Sequence, residues 1–210
     1  MSGVESLYPF LYSPGAPADL LGEVARSTSD KAAEIAALRA LVLERYEEAL
    51  VDCARHMAAA FGAGGRLLVF GNGGSSTDAA AIAHLHLAPP AGRPVPALAL
   101  AAETAVVTAL ANDVGFDVVF ARQIAAAGRP FDVAMGVSTS GGSENVLQAF
   151  AQAHRLGMLT VGLAGYDGGR MAEPGAVDHL FVVPSASVHR IQEAQTTLYH
   201  RLWALTQEAF

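Results

Sequence analysis

Two short segments of the sequence combine glycines and hydroxyl side chains at high density. They are 71–78 (GNGGSSTD) and 138–145 (STSGGSEN), and an apolar run precedes each of them. Glycine lets the backbone take positive φ and approach a ligand closely, and the first turn of a helix presents unpaired N–H groups with a partial positive charge. Each segment therefore predicts an anion-binding loop between a strand and a helix.

The overall charge restricts how such an anion is held. The chain has 13 Lys and Arg residues against 20 Asp and Glu residues, a formal net charge of −7 at pH 7. Nucleic-acid binding needs basic surface, so we expect no direct nucleic-acid partner. Neither loop has the spacing of a Walker motif or of a dinucleotide fingerprint. The favoured ligand is a small phosphorylated metabolite, held locally by amides and hydroxyls.

A capped turn is the structural alternative for each loop. Ser, Thr and Asp are ordinary N-cap residues, and Glu144 would suit the dipole of a first helical turn. One such loop fits either interpretation equally well. Two of them at neighbouring strand ends favour a phosphate site, because ligands collect at the carboxyl ends of strands in open parallel sheets.

The hydrophobic periodicity indicates the elements that must position these loops. Short apolar runs typical of buried strands alternate with segments of helical spacing, which predicts a parallel sheet covered on both faces. The segment 29–61 is one helix, or two that break near Leu43. The predicted strands are 66–71, 95–101, 132–138, 158–164 and 178–184, and the later helices are 76–88, 103–111, 117–127, 144–156 and one long helix from about Ser187.

Length and composition predict one α/β domain with an N-terminal extension. We expect an irregular arm over 1–28, helices over 29–63 and an α/β core over 64–210 that ends in the long helix. No run approaches the roughly 18 apolar residues of a membrane span, and the N-terminal residues do not have the pattern of a secretory signal. The single cysteine, Cys53, suits a reducing compartment. A cytoplasmic protein without a membrane partner is therefore expected.

Five motifs make the sequence similar to the sugar isomerase (SIS) domain family, and within it to the phosphoheptose isomerases. The motifs are GNGGS (71–75), ANDVGF (111–116), STSGGSENV (138–146), GLAGYDGGRM (162–171) and RIQEAQTTLYH (190–200). The resemblance extends from about Ala32 to the C-terminus. It implies a flavodoxin-like three-layer α/β fold with a five-stranded parallel sheet. It also implies a homotetramer with sites between subunits and a sugar phosphate as the ligand.

The same resemblance implies which residues contact the substrate. In the family the serine-rich loop holds the sugar phosphate, while the GNGGS loop and the Asn-Asp pair line the pocket. By position, the substrate-binding residues of this sequence are Asn72, Gly73, Ser75, Asn112, Asp113, Ser138, Thr139, Ser140 and Ser143.

The catalytic residues match the family only in part. Moving a proton between adjacent carbons of a sugar phosphate needs a base and a partner for the oxygens. The family is understood to use a Glu in the helix after GNGGS and a His in the C-terminal helix. Several members bind zinc with that Glu, a His four residues before it, a Gln and the distant His. Gln192 and His200 match these positions, whereas Ala81 and Leu85 stand at the other two.

His84 is the candidate replacement, because it lies on the same helix beside Leu85 and a neutral imidazole can act as a base near pH 7. The candidate catalytic residues are therefore His200, Gln192 and His84, and the same three are the candidate ligands for zinc. The alternative is that His84 is a surface residue near a helix C-terminus and that no cofactor is bound.

The other histidines divide into two groups. His189 stands where the family usually has an acidic residue, and it would extend the candidate group to His84, His189 and His200 if all three side chains converge. His56, His154 and His179 have no companions at ligand spacing and are expected to be ordinary surface residues.

Two functions follow from these residues. The first is a sedoheptulose 7-phosphate isomerase, an aldose–ketose isomerase (an intramolecular oxidoreductase) that makes precursors of heptose-containing glycans. The second is a non-catalytic SIS protein, either a phosphosugar sensor or a tetrameric scaffold similar to the members that associate with DnaA. The full-length resemblance and the two loops favour the isomerase, whereas Ala81 and Leu85 favour the binder.

Overall fold

The computed structural model of the protein describes residues 20–210, and its strands form one parallel sheet. The sheet order is β2-β1-β3-β4-β5, and all four neighbouring pairs are parallel. The strands are β1 (Leu67–Gly71), β2 (Ala97–Ala99), β3 (Val133–Ser138), β4 (Leu159–Gly165) and β5 (His179–Val183). The predicted five-stranded parallel sheet is confirmed.

Helices cover both faces of this sheet. On one face α2 and α3 pack against α7, and on the other face α5 packs against α6. The helices are α1 (Leu20–Arg45), α2 (Glu47–Gly62), α3 (Gly74–Leu87), α4 (Thr104–Asp113), α5 (Val119–Ala127), α6 (Glu144–Arg155) and α7 (Val188–Glu208), with 3-10 turns at Phe116–Val118 and Gly169–Ala172. This arrangement is the three-layer α/β fold that the sequence predicted.

The N-terminal boundary differs from the prediction. Most of the arm expected over 1–28 lies outside the described residues, and its described part, 20–28, is already helical in α1. The α/β unit itself spans Leu38–Phe210. The helical pattern therefore begins earlier than the apolar periodicity from about Ser29 indicated.

The central strands β1, β3 and β4 are buried almost throughout, which explains their continuous apolar runs. Phe70 of β1 and Phe150 of α6 meet edge to face with ring centroids 5.3 Å apart, and Phe120 of α5 packs beside them. A side chain at Gly136 of β3 would overlap both Phe150 and Phe70. The glycine in this strand is thus required by the aromatic cluster.

Tyr46 breaks the N-terminal helical segment into α1 and α2. Its backbone leaves helical geometry at φ −112° and ψ 14°. Its hydroxyl accepts a hydrogen bond from the Val182 amide at 3.0 Å and donates one to the Val182 carbonyl at 3.3 Å. Since β5 is an edge strand with unpaired backbone groups, Tyr46 satisfies one residue of that edge.

The second strand is shorter than predicted. The apolar run 95–101 suggested seven residues, but only Ala97–Ala99 form β2. Pro96 has no N–H to donate, and Ala102 already donates to the Ala99 carbonyl in a turn. These two features limit β2 to three residues paired with β1.

A buried ion pair holds β1 and β3 together at their amino ends. The Asp132 carboxylate is fully buried and accepts hydrogen bonds from the Arg66 amide at 2.7 Å, from the Arg66 guanidinium at 2.7 Å and from the Arg129 amide at 3.1 Å. The carboxylate therefore satisfies two backbone amides as well as one cation.

Asp132→Ala is expected to lower the free energy of unfolding by about 3 kcal/mol, because it removes the partner of the Arg66 charge, which keeps only the Ala127 carbonyl, and leaves two amides without an acceptor. Urea unfolding measures this loss. The exposed Asp117→Ala serves as the control and should change stability by less than about 0.5 kcal/mol. A loss of similar size in both variants would contradict this account of the pair.

Candidate functional site

The two glycine- and hydroxyl-rich loops leave the sheet at its centre. β1 and β3 are neighbours, with Gly71 paired to Val137 at their carboxyl ends. The chain leaves β1 towards β2 and leaves β3 towards β4, so the strand order reverses between them. Open parallel sheets bind their ligands in the crevice at such a switch point.

A reciprocal amide pair joins the two loops. The Asn72 side chain donates to Asn145 Oδ1 at 2.9 Å, and the Asn145 side chain donates to Asn72 Oδ1 at 2.9 Å. Asn145 is buried at the start of α6, and Asn72 is half-buried after β1. The pair uses part of the hydrogen-bonding capacity of Asn72, which the resemblance assigns to the substrate.

Three serine hydroxyls converge in the second loop. The Ser138 hydroxyl lies 3.1 Å from that of Ser143 and 3.4 Å from that of Ser140. Ser143 occupies the N-cap position of α6 but makes no side-chain capping bond. Within residues 20–210, no hydrogen bond joins these hydroxyls, or that of Thr139, to a backbone carbonyl. The Gly142 amide donates to the Ser140 hydroxyl at 3.2 Å, as in a capped turn, but within the described residues the hydroxyls of Ser138 and Ser143 make no such bond, so the capped-turn alternative accounts for only part of this loop.

A third loop, which contains Gly168, Gly169 and Met171, contacts the backbone of the serine loop. The Met171 amide donates to the Gly141 carbonyl at 2.9 Å. Gly141 has a φ of 62°, and a side chain there would overlap the Gly168 carbonyl, just as a side chain at Gly169 would overlap the Ser140 carbonyl. The glycines of both loops thus permit a backbone contact that sets the position of the serines.

Gln192 reaches the first loop from α7. Its amide lies over Gly74, where any side chain would overlap it, and it donates a hydrogen bond to Asp78. The structure therefore brings Gln192 to the GNGGS loop. The remaining members of that loop lie where the sequence placed them: Gly73 has a φ of 54° and is exposed, and Ser75 is buried in the first turn of α3.

Asp78 is a further candidate site residue, one that the sequence did not single out. Burial raises the pKa of its carboxyl, and the hydrogen bond from Gln192 offsets part of this rise. Its Oδ2 atom is buried without a hydrogen-bond partner among the described residues. Burial also raises the pKa of Tyr199, and the nearby Asp78 charge adds to that effect. A desolvated carboxyl with a raised pKa is a catalytic candidate.

A sequence signal for Asp78 exists. Asp78, Ala81 and Leu85 follow each other at i, i+3 and i+7 and so share one face of α3. The carboxylate is thus on the face where the resemblance places the metal and proton ligands, but closer to the loop along the helix, by about 4.5 Å relative to Ala81 and about 10 Å relative to Leu85.

Five other predicted or candidate residues have no hydrogen bond to either loop within the described chain. Asn112 donates to Asp113 at 2.7 Å, and both side chains are exposed at the end of α4. His84, His189 and His200 are exposed, and His200 stacks on its neighbour Tyr199 with ring centroids 4.9 Å apart.

The donors at this edge do not fit a metal within one chain. Ala81 is exposed and Leu85 is half-buried, and neither has a ligand atom. In residues 20–210, His84, His189 and His200 do not bring their nitrogens within ligand distance of one another as a group. No step of the chemistry below is therefore assigned to zinc.

The prediction that His56 and His179 have no companions at ligand spacing is wrong, and His154 also has a hydrogen-bonding neighbour that the sequence did not indicate. His56 Nδ1 lies 2.9 Å from His179 Nε2, and His154 Nε2 lies 2.9 Å from the Thr160 hydroxyl. The first pair joins α2 to β5, which are 123 residues apart in sequence. Spacing along the chain carries no signal for such a contact, since only the fold brings the two elements together.

The sequence is similar to a known domain family and to characterised enzymes. The SIS domain model matches residues 32–165. The phosphoheptose isomerase of Aquifex aeolicus is 42% identical over 177 residues, which cover 83% of this chain and 92% of the relative. The phosphoheptose isomerase of Paramagnetospirillum magneticum is 42% identical over 181 residues, with 83% and 88% covered.

Solved structures agree with the sequence relatives. Phosphoheptose isomerase GmhA from Neisseria gonorrhoeae superposes with a TM-score of 0.82 at 33% identity, covering 88% of this chain and 99% of that one. A phosphoheptose isomerase from Francisella tularensis gives a TM-score of 0.74 at 30% identity, covering 86% of this chain and 98% of that one.

Within the described residues, every helix is too short or too polar to cross a membrane.

The two asparagines should act as one unit in stability. Asn72→Ala and Asn145→Ala are each expected to lower the free energy of unfolding by about 1–2 kcal/mol, because each leaves the partner amide unpaired. The double variant should cost less than the sum of the two, by about 1 kcal/mol. Denaturant unfolding of all four proteins measures the coupling, with Asn112→Ala as the exposed control. Strict additivity would mean that the amide pair does not join the loops.

Proposed function

The chain belongs to the SIS domain family, and we propose that it is a phosphoheptose isomerase that interconverts sedoheptulose 7-phosphate and its aldose isomer. The observation that carries the proposal is the pair of loops at the switch point, joined by Asn72 and Asn145 and lined by hydroxyls that no backbone carbonyl engages in the described chain. The identity of 42% to phosphoheptose isomerases over most of the chain supports the choice of sugar phosphate.

In this proposal the serine loop binds the phosphate. Ser138, Thr139, Ser140 and Ser143 supply hydroxyl donors, and the first turn of α6 supplies N–H groups that have no intrahelical partner. Together these neutral donors can hold a dianion in a protein of net charge −7. Asn72, Gly73 and Ser75 line the sugar side of the crevice.

Proton transfer between the two sugar carbons requires a base that titrates near the working pH. We assign this role to Asp78, because its pKa is raised by burial and its carboxyl is oriented by Gln192. His200 is assigned to the sugar oxygens, as the family resemblance implies, and His84 remains the second candidate base. Both histidines are exposed, so a neighbouring subunit would have to enclose them with the substrate.

The assembly in this proposal is a homotetramer. The segment TAVVTALAND of α4 has six apolar residues, yet none of its residues is buried. Val106, Val114 and Phe116 in and after this helix are 40%, 52% and 52% exposed. An apolar surface of this kind is typical of an interface. Asn112 and Asp113 at the end of α4 would then line a site between subunits. A cytoplasmic location is part of the same proposal.

The second candidate is a non-catalytic phosphosugar sensor or scaffold, and one specific observation favours it. Leu85 stands at the family position of the catalytic Glu, and Ala81 at that of the zinc-binding His. Neither side chain accepts a proton or binds a metal. The binder shares the phosphate site with the isomerase, so only turnover separates the two functions.

Ligand binding is the first test. Sedoheptulose 7-phosphate should raise the melting temperature of the wild-type protein, and the rise should shrink by more than half in Ser140→Ala, because a hydroxyl donor to the phosphate is lost. Thr108→Ala, whose hydroxyl donates to its own helix at Thr104, is the matched control. Equal shifts in the two variants, or no shift in the wild type, would contradict the phosphate assignment.

Turnover is the second test. Asp78→Asn is expected to lower kcat by a factor of about 10² to 10⁴ with the ligand-induced melting shift retained, and His200→Ala should lower kcat by a similar factor. The acidic limb of the wild-type pH profile should lie above the usual range of an aspartate, because the base works only above its raised pKa.

The measurement is heptose phosphate interconversion with and without added zinc. Wild-type protein that binds the sugar phosphate but shows no turnover in either condition would assign the chain to the binder class. Full turnover in Asp78→Asn would remove Asp78 from the mechanism and leave His84 as the base to test.

A further inference from the structure

Three side chains of metal-binding type meet at the edge of the sheet opposite the two loops. Asp52 and His56 lie one turn apart on α2, and His179 is the first residue of β5. One ligand atom from each lies within 4.8 Å of the other two. Since β5 starts at this edge, the group lies at the amino ends of the strands, whereas the sugar phosphate site lies at their carboxyl ends.

The two imidazoles face each other with their nitrogens. His56 Nδ1 is 2.9 Å from His179 Nε2 and 3.9 Å from Asp52 Oδ2. Two nitrogens bound to one tetrahedral zinc ion at about 2.0–2.1 Å lie roughly 3.3 Å apart. Small rotations of the exposed His56 ring would therefore open the pair enough to admit an ion.

The chemistry and the accessibility of the group suit a metal ion. A neutral imidazole presents a free lone pair, which is the form that binds metals. The group also opens into a groove of about 580 Å³, so water can occupy the remaining coordination positions.

Two neighbouring side chains are engaged elsewhere. Asp178 accepts hydrogen bonds from the Thr160 amide and hydroxyl at 2.8 Å each, and His154 Nε2 lies 2.9 Å from the same hydroxyl. These contacts hold Asp178 and His154 against β4. They leave Asp52, His56 and His179 as the set whose ligand atoms all lie within 4.8 Å of one another.

We propose that Asp52, His56 and His179 bind a divalent transition-metal ion of the zinc class and thereby connect α2 to β5. Two imidazoles and one carboxylate with open positions are a typical zinc ligand set, whereas magnesium and calcium prefer oxygen ligands. The ion is a structural cross-link between two elements far apart in sequence. The proposal is independent of the sugar phosphate chemistry at the other edge.

Isothermal titration of the full-length chain with Zn²⁺ tests the proposal, with Mg²⁺ as the comparison ion. Zinc is expected to bind at one equivalent to this site, and magnesium is expected to give no comparable binding. Diffraction from zinc-soaked crystals at the zinc absorption edge should place the ion between His56 and His179.

Three variants assign the binding to this group. His56→Asn and Asp52→Asn change exposed side chains, so they should fold normally, and each should weaken zinc binding by about 10- to 100-fold or more. His154→Asn is the matched control, a histidine in the same region that should leave zinc affinity unchanged. Zinc binding that survives His56→Asn, or that is lost only in His200→Asn, would overturn the proposal, as would an equal affinity for magnesium.

Discussion

The reciprocal hydrogen bonds between Asn72 and Asn145 are the constraint on which the carboxyl edge of the sheet depends. They join two loops that leave the centre of the sheet in opposite directions, and they satisfy a buried amide at the start of α6. A one-sided loss would leave a polar group desolvated without a partner. The pair therefore holds the two loops together, and three serine hydroxyls converge in the second of them.

Asp78, at the carboxyl edge of the sheet, differs from the ion pair at the amino edge in how far hydrogen bonds compensate its burial. Arg66 and Asp132 satisfy each other and two amides, so burial of their charges is compensated. Asp78 has only the hydrogen bond from Gln192, and its second oxygen has no partner among the described residues. An incompletely compensated carboxyl costs stability and holds its proton more tightly. That combination is expected of a group retained for chemistry or for a ligand.

The absence of a ligating side chain at Ala81 and Leu85 changes the chemical character of α3. The helix keeps its glycine-rich start and its packing on α7, but its only carboxylate, Asp78, lies close to the loop. In the proposed function, phosphate binding and proton transfer therefore depend on different residues. Binding and turnover can be lost separately, which is why a family likeness of 42% identity supports the ligand more strongly than the reaction.

The sequence by itself determined the sheet, the two loops and most of the residues that line them, because apolar periodicity and glycine-rich loops are local features of the chain. It predicted Gln192 through the family resemblance, and the fold placed that residue on the first loop. It did not single out Asp78, which interacts with Gln192, and it did not predict the contact of His56 with His179. Each of these pairs joins elements that are far apart in sequence. Only the tertiary structure decides such pairs. The burial of two side chains on different elements, and the distance between them, depend on how the layers pack, and residue spacing along the chain does not specify that packing.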